Sequence, residues 1–234
     1  MTASPLIIAL DFPDLKPCKK LLQELKDLVK IYKIGSELFT AHGWSAVDLV
    51  QKSGGQVFLD LKLHDIPTTV AKTARVIAAR NVFMFNVHAL GGFEMMRKAK
   101  KAVDETCKGN TKPILLAVTI LTSLEEKILP KELGISRPLR EEVLSLARLA
   151  KEAGLDGAIS SPEETEFLRQ GLGKDFILVT PGIRLPPSDS HDQRRSLTPQ
   201  EAIQKGADYL VIGRPITASS NPREAASQIL QSLA

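Results

Sequence analysis

Residues 6–35 read LIIALDFPDLKPCKKLLQELKDLVKIYKIG, and this stretch holds one complete structural period of the chain. Leu6–Asp11 is a short aliphatic run of the kind a buried strand needs, and Tyr32–Gly35 is another. Between them Leu21, Leu22, Leu25, Leu28 and Val29 recur at the spacing of one helix face, which predicts a helix over Cys18–Lys30. Two strands joined through a helix lie parallel, with a right-handed crossover.

The period repeats to the far end of the sequence. Further runs at Gln56–Lys62, Val82–His88, Pro113–Thr119, Asp156–Ser160, Phe176–Thr180 and Tyr209–Gly213 bring the strands to eight, each separated from the next by a helical segment. Three helix starts share one chemistry: Ser161-Pro162-Glu163-Glu164, Thr198-Pro199-Gln200-Glu201 and Asn221-Pro222-Arg223-Glu224. In each, a capping side chain precedes a Pro that needs no donor and a Glu able to reach back to the cap. Eight strand and helix units without a hairpin signal favour a closed (β/α)8 TIM barrel, an α/β fold, over an open doubly wound sheet. No G-x-G-x-x-G follows the first strand, which argues against a dinucleotide fold. No linker-like shift in composition divides the chain, so 1–234 reads as a single domain.

Composition excludes several functional classes. The 234 residues carry 31 Lys+Arg against 27 Asp+Glu, a formal charge of +4, which is basic without being polybasic. Aromatic residues make up only 5% and do not interleave with Lys or Arg, so stacking platforms for nucleic acid are missing. The longest aliphatic runs, Leu6 to Leu10 and Ile114 to Val118, fall far short of the roughly 20 residues a membrane span requires. The first residues lack a secretory signal, so the expected compartment is the cytoplasm. Cys18 and Cys107 stand alone and read as packing residues. Trp44, Phe83, Phe85 and Phe93 likewise suit packing better than a cofactor role.

In such a barrel reactive groups collect at the carboxyl ends of the strands. There the sequence places Asp11, Lys33, Asp60, Lys62, Asp65, His88, Thr119, Thr122, Arg184 and Arg214. Asp60 and Lys62 lie two apart in a run otherwise dominated by Val57, Leu59, Leu61 and Leu63, so strand alternation sends both charges to the inward face. Buried charges need partners, and Lys33 on the neighbouring strand is the nearest source. The plain structural alternative is a salt bridge that plugs the barrel end. A second concentration joins Thr180-Pro181-Gly182-Ile183-Arg184, a polar loop through Gln193, and Ile212-Gly213-Arg214-Pro215. Loops after the last two strands often hold phosphate, with Gly admitting backbone N–H groups and Arg supplying a charged fork; turn glycines beside a solvated Arg would look the same. Asp60, His64, Asp65 and His88 could meet around a metal, although no H-E-x-x-H spacing is present. Packed, hydrogen-bonded histidines are the structural alternative.

The D-x-K-x-x-D pattern of Asp60-Leu61-Lys62-Leu63-His64-Asp65 resembles the orotidine 5′-phosphate decarboxylase superfamily. The likeness extends in order through Ala9-Leu10-Asp11, Tyr32-Lys33-Ile34-Gly35, FLDLKLHDIPTT at 58–69, VTILTS at 118–123, TPGIR at 180–184, Asp192-Gln193-Arg194-Arg195 and LVIGRPI at 210–216. It implies conversion of orotidine 5′-phosphate to uridine 5′-phosphate, the last step of de novo pyrimidine nucleotide synthesis, without metal or organic cofactor. It further implies that Lys33, Asp60, Lys62 and Asp65 form an alternating charged network, with Lys62 as proton donor. Asp65 and Thr69 would reach the site of a partner subunit in a homodimer. Asp11 and Lys33 would hold the ribose, Thr122 the pyrimidine, and Arg184, Gln193, Gly213 and Arg214 the phosphate. The segment Pro186–Gln193 is expected to close over that phosphate.

The charges themselves fit this chemistry. Two lysines set among aspartates should stay protonated, which disfavours a Schiff base and suits stabilisation of developing negative charge followed by proton delivery. Two alternatives stand beside this reading. One is a metal-dependent barrel enzyme of the ribulose-phosphate type, acting on an enediolate. The other is a phosphate-ligand sensor that kept the barrel without the chemistry.

Overall fold

A computed structural model describes residues 4–109, 111–183 and 197–233. The elements run β1 (Leu6–Ala9), α1 (Leu15–Leu25), β2 (Ile31–Gly35), α2 (Ser36–His42), α3 (Trp44–Lys52), β3 (Gln56–Leu63), α4 (Pro67–Ala78), β4 (Met84–His88), a single 3-10 turn (Ala89–Gly91) and α5 (Phe93–Thr106). They continue with β5 (Ile114–Val118), α6 (Ile128–Glu132), α7 (Leu139–Glu152), β6 (Gly157–Ile159), α8 (Thr165–Leu172), β7 (Ile177–Pro181), α9 (Pro199–Gln204), β8 (Tyr209–Ile212), α10 (Arg214–Thr217) and α11 (Pro222–Ser232). All eight strands pair parallel with their sequence neighbours, and β1 pairs with β8 at Leu6↔Leu210, Ile7↔Val211 and Ile8↔Ile212, so the barrel is closed.

Strand alternation divides the core in two. Ile7, Ala9, Ile31, Phe58, Met84, Leu116, Val179 and Val211 fill the barrel interior. The residues between them, such as Leu6, Ile8, Ile34, Leu59, Phe85, Leu115 and Leu178, face outward and pack beneath the helices. Both faces of each strand are therefore covered, which is why the strand runs read as nearly continuous aliphatic sequence.

Several boundaries differ from the sequence expectation by a few residues, and two of the differences have identifiable reasons. α1 ends at Leu25, not Lys30, yet Val29 is fully buried and Leu28 packs on the core. The apolar spacing continues through a turn in which the Leu28 and Val29 N–H groups both donate to the Leu25 carbonyl, so burial persists after the helix stops. At Ser161-Pro162-Glu163-Glu164 the helix starts only at Thr165. Glu164 still reaches back to the Ser161 N–H at 2.8 Å, but the helix N-cap is Glu164 itself, which makes no side-chain cap bond. Thr198 and Asn221 do cap their helices as expected, each accepting from the N–H of a Glu three residues on, and Thr198 forms a full capping box with Glu201.

The rim opposite the site is held by a repeated device. Asp156, just before β6, accepts from the Leu115 N–H of β5 and pairs with Lys100 of α5 at 2.8 Å. Asp208, just before β8, accepts from the Leu178 N–H of β7 and pairs with Arg169 of α8 at 2.6 Å. Arg169 also donates to the carbonyls of Gly173, Phe176 and Gly206, tying three chain segments together. Cys18 and Cys107 are buried free thiols that donate to the Asp14 and Ala78 carbonyls, and burial pushes the Cys18 thiol up to about 11.

Candidate active site

The carboxyl end of β3 departs from a regular pleat. Its pairing with β4 steps from Leu59↔Phe85 to Leu63↔Val87, so extra β3 residues are squeezed out opposite one stretch of β4. Within this bulge Lys62 takes a left-handed backbone, φ 51°, unusual for a residue with a side chain. Asp60 and Lys62 do share the inward side as alternation predicts, but the bulge, not a simple period of two, places Lys62. The Lys62 N–H loses its ladder partner there and donates instead to the Asn86 side-chain oxygen at 2.8 Å.

Asp60 is the hub. Its Oδ1 accepts from Lys62 Nζ and from Asn86 Nδ2, both at 2.7 Å, while Lys33 Nζ lies 3.6 Å from Oδ2. Lys33 in turn donates to Asp11 Oδ1 at 3.0 Å across the β1–β2 pair. Lys33 and Asp60 are 12% and 13% exposed, so neither faces bulk solvent, whereas Lys62 at 39% and Asp11 at 62% open toward the mouth. Burial pushes the Asp60 carboxyl up, but the Lys33 and Lys62 ammoniums and the hydrogen bonds from Lys62 and Asn86 outweigh it and hold the group below the ordinary carboxylate range. Gly35, next along β2, leaves room for this row: a Cβ there would stand 3.3 Å from Lys33 Nζ.

Above the row opens a cavity of about 220 Å³. Lys33, Asp60 and Lys62 form one side, and Val118, Ile120, Ile159 and Val211 form an apolar wall, with Thr122 at the edge. Such a space suits a flat ring that buries its faces against the wall and turns one edge to the ammonium of Lys62.

The other sequence candidates are placed as follows. Asp65 is exposed, accepts from the Ile66 N–H, and does not line this cavity; Thr69, one turn into α4, is exposed beside it. Gly213 and Arg214 open α10 directly after β8, with Gly213 against Asp11 and Arg214 exposed at the rim. Arg184, Gln193 and the segment expected to close, Pro186–Gln193, lie outside the described residues. The four groups weighed as metal ligands do not converge. His64 and His88 stack with centroids 5.2 Å apart, Asp65 turns to its own loop, and among the described residues no group of three or more His, Cys, Asp or Glu is placed to hold a metal ion. Burial, assisted by His64 and Lys62, lowers the affinity of His88 for a proton. Asn86 escaped the sequence reading. Its signal was present: a lone amide within an apolar run, at the same parity as His88.

Among the described residues no helix is long and apolar enough to cross a membrane. The sequence profile described as the orotidine 5′-phosphate decarboxylase / HUMPS family matches residues 4–229. A protein of Geotalea daltonii named orotidine 5′-phosphate decarboxylase is 48% identical over 225 residues, covering 96% of this chain and 94% of its own. One of the same name from Moorella thermoacetica is 49% identical over 226 residues, covering 96% and 90% respectively. Among solved structures, orotidine 5′-phosphate decarboxylase from Lactobacillus acidophilus superposes with a TM-score of 0.87 at 39% identity, covering 98% of this chain and 99% of that one. An uncharacterized conserved protein from Geobacillus kaustophilus gives 0.88 at 37% identity, covering 98% and 100%. A closed eight-stranded barrel, an ionic row at its carboxyl rim and relatedness along nearly the full length lead to one conclusion: the chain belongs to the orotidine 5′-phosphate decarboxylase / HUMPS family.

Proposed function

We propose that this chain is a carboxy-lyase that converts orotidine 5′-phosphate to uridine 5′-phosphate and CO₂, the last step of de novo pyrimidine nucleotide synthesis, without metal or organic cofactor. The observation that carries the reading is the ammonium of Lys62, fixed on Asp60 at 2.7 Å and set at the edge of a half-apolar cavity. The bond from ring carbon C6 to the carboxylate breaks, CO₂ leaves as a neutral molecule, and the bonding pair stays on C6. Lys62 stabilises that negative charge and then delivers its proton to C6.

Asp60 contributes in a second way. A substrate carboxylate about 4 Å from it meets roughly 4 kcal/mol of repulsion at an effective dielectric near 20, which loss of CO₂ relieves. Barriers lowered by enzymes reach about 23 kcal/mol in ordinary cases, so this repulsion is the smaller share and the attraction to Lys62 the larger. Asp11 and Lys33 hold the ribose, Thr122 the pyrimidine edge, and Gly213 and Arg214 the phosphate together with Arg184 and Gln193.

The working unit is a homodimer in which Asp65 and Thr69 complete the neighbouring site. Exposed apolar side chains support this: Ile66 (64%), Val76 (54%), Leu90 (40%) and Phe93 (40%) lie on or beside α4 and α5, which pack along each other next to Asp65. The deciding experiment follows the ultraviolet change of orotidine 5′-phosphate with purified protein in EDTA. Turnover undiminished by the chelator is expected. Tight nucleotide binding with no turnover would favour the sensor, and loss of turnover in EDTA the metal-dependent class.

A further inference from the structure

We infer that Asn86 is a positioning residue for the decarboxylation, the part that locks Lys62 and Asp60 into one rigid unit. The inference rests on the function proposed above and deepens it.

Asn86 sits in the middle of β4 with no exposed surface, opposite Leu116 of β5. An amide so placed needs a partner for both its oxygen and its nitrogen, since an unpartnered buried polar group costs more than its hydrogen bond returns. Its two bonds go to the two residues that the chemistry needs. The carbonyl oxygen accepts from the Lys62 N–H, the backbone group left without a ladder partner by the bulge. The amide nitrogen donates to Asp60 Oδ1, the same oxygen that receives Lys62 Nζ. The amide can sit only one way round, because the reverse would set N–H against N–H and oxygen against carboxylate.

These contacts do distinct jobs. The first pins the left-handed backbone of Lys62, a conformation that needs support from its surroundings. The second fixes the carboxylate plane of Asp60, and through it the point where the Lys62 ammonium rests. A long, half-exposed lysine would otherwise sample many rotamers, and electrostatic catalysis depends on a donor that is already aimed.

The test compares the intact chain with Asn86→Leu, which has similar bulk and no hydrogen bonds, and Asn86→Asp. In the second variant the introduced carboxyl group faces Asp60 and Lys62 from β4, with Lys33 of β2 behind Asp60. Protonated, it can donate to Asp60 and accept from the Lys62 N–H as the amide does; ionised, it cannot donate. For Asn86→Leu, kcat should fall roughly 100-fold while KM stays within about fivefold. For Asn86→Asp, activity should be recovered toward acid pH and lost as pH rises, a limb that the intact chain lacks. Leu116→Ala, a cavity in the same layer of the barrel, is the control for lost stability and should leave the pH profile unmoved. The inference is overturned if Asn86→Leu keeps kcat within about threefold of the intact chain, or if both variants lose activity at every pH. An intact chain that fails to turn over substrate would remove the decarboxylase reading itself, a result separable from either of these.

Discussion

Lys62→Met keeps most of the side chain's length and removes its charge. At 2.7 Å its attraction to Asp60 amounts to roughly 6 kcal/mol at an effective dielectric near 20. With 39% of the Lys62 side chain open to water, most of this is screened, and the expected net loss of folding stability at pH 7 is about 2 kcal/mol. The loss of turnover should be far larger, about 10⁴-fold or more, because in the proposed mechanism one group supplies both the stabilising charge and the proton. The stability deficit should also depend on pH in a defined direction. In the intact chain the pKa of Asp60 lies below its unfolded value of about 3.9, so its contribution is complete above that value and is lost as pH falls through the folded pKa. Without Lys62, burial is opposed only by Lys33 and Asn86, and the folded pKa rises. Protonation of the variant's folded state then begins at higher pH, so the deficit is largest at pH 7 and narrows toward pH 4. Urea unfolding across that range, with turnover followed by ultraviolet absorbance, measures both effects. A deficit that does not change with pH, or turnover within about tenfold of the intact chain, would refute the reasoning.

Arg169→Ala cuts five hydrogen bonds to four partners at the opposite rim, Gly173, Phe176, Gly206 and Asp208; we expect a stability loss of about 3 kcal/mol in urea with kcat unchanged. Gly157→Ala would drive a Cβ into the Ile177 carbonyl oxygen, within the β6–β7 pair, so this methyl should cost about 3 kcal/mol or leave the chain insoluble; a near-neutral unfolding curve would contradict the tight β6–β7 approach. If the proposed homodimer forms through this face, paired Ile66→Asp and Phe93→Asp changes should shift sedimentation from dimer to monomer and lower turnover, since the proposal has Asp65 and Thr69 complete the neighbouring site; an unchanged dimer would move the interface elsewhere.

Much of this architecture was legible because it depends on periodicity. Runs such as Leu6–Ala9 and Ile114–Val118 are apolar on both faces, and that alone marks strands sandwiched between an interior and a helix layer. Asp60 and Lys62 were legible as ionic intruders in one such run. What stayed hidden depends on departures from period. The bulge that turns Lys62 into a left-handed conformation leaves no trace in side-chain spacing, since Leu59, Leu61 and Leu63 still pack outward around it. Leu28 and Val29 extended the expected α1 because burial does not require helix. Asn86 passed unnoticed because an amide carries no charge to draw the eye, although burial makes its demand for partners as strict as that of an ion.

The seam between β1 and β8 sets a condition on how the chain reaches this form. The Leu210 N–H donates to the Pro5 carbonyl, and Arg223 of α11 donates to the carbonyl of Glu24 in α1. During synthesis the first strand must therefore wait, one edge bare, until residues near 212 have left the ribosome. Contacts this distant along the chain slow folding, and an uncovered aliphatic strand edge invites pairing with another nascent copy. Truncations that remove β8 should accordingly yield aggregates, and chaperone dependence should fall steeply once that last strand is available.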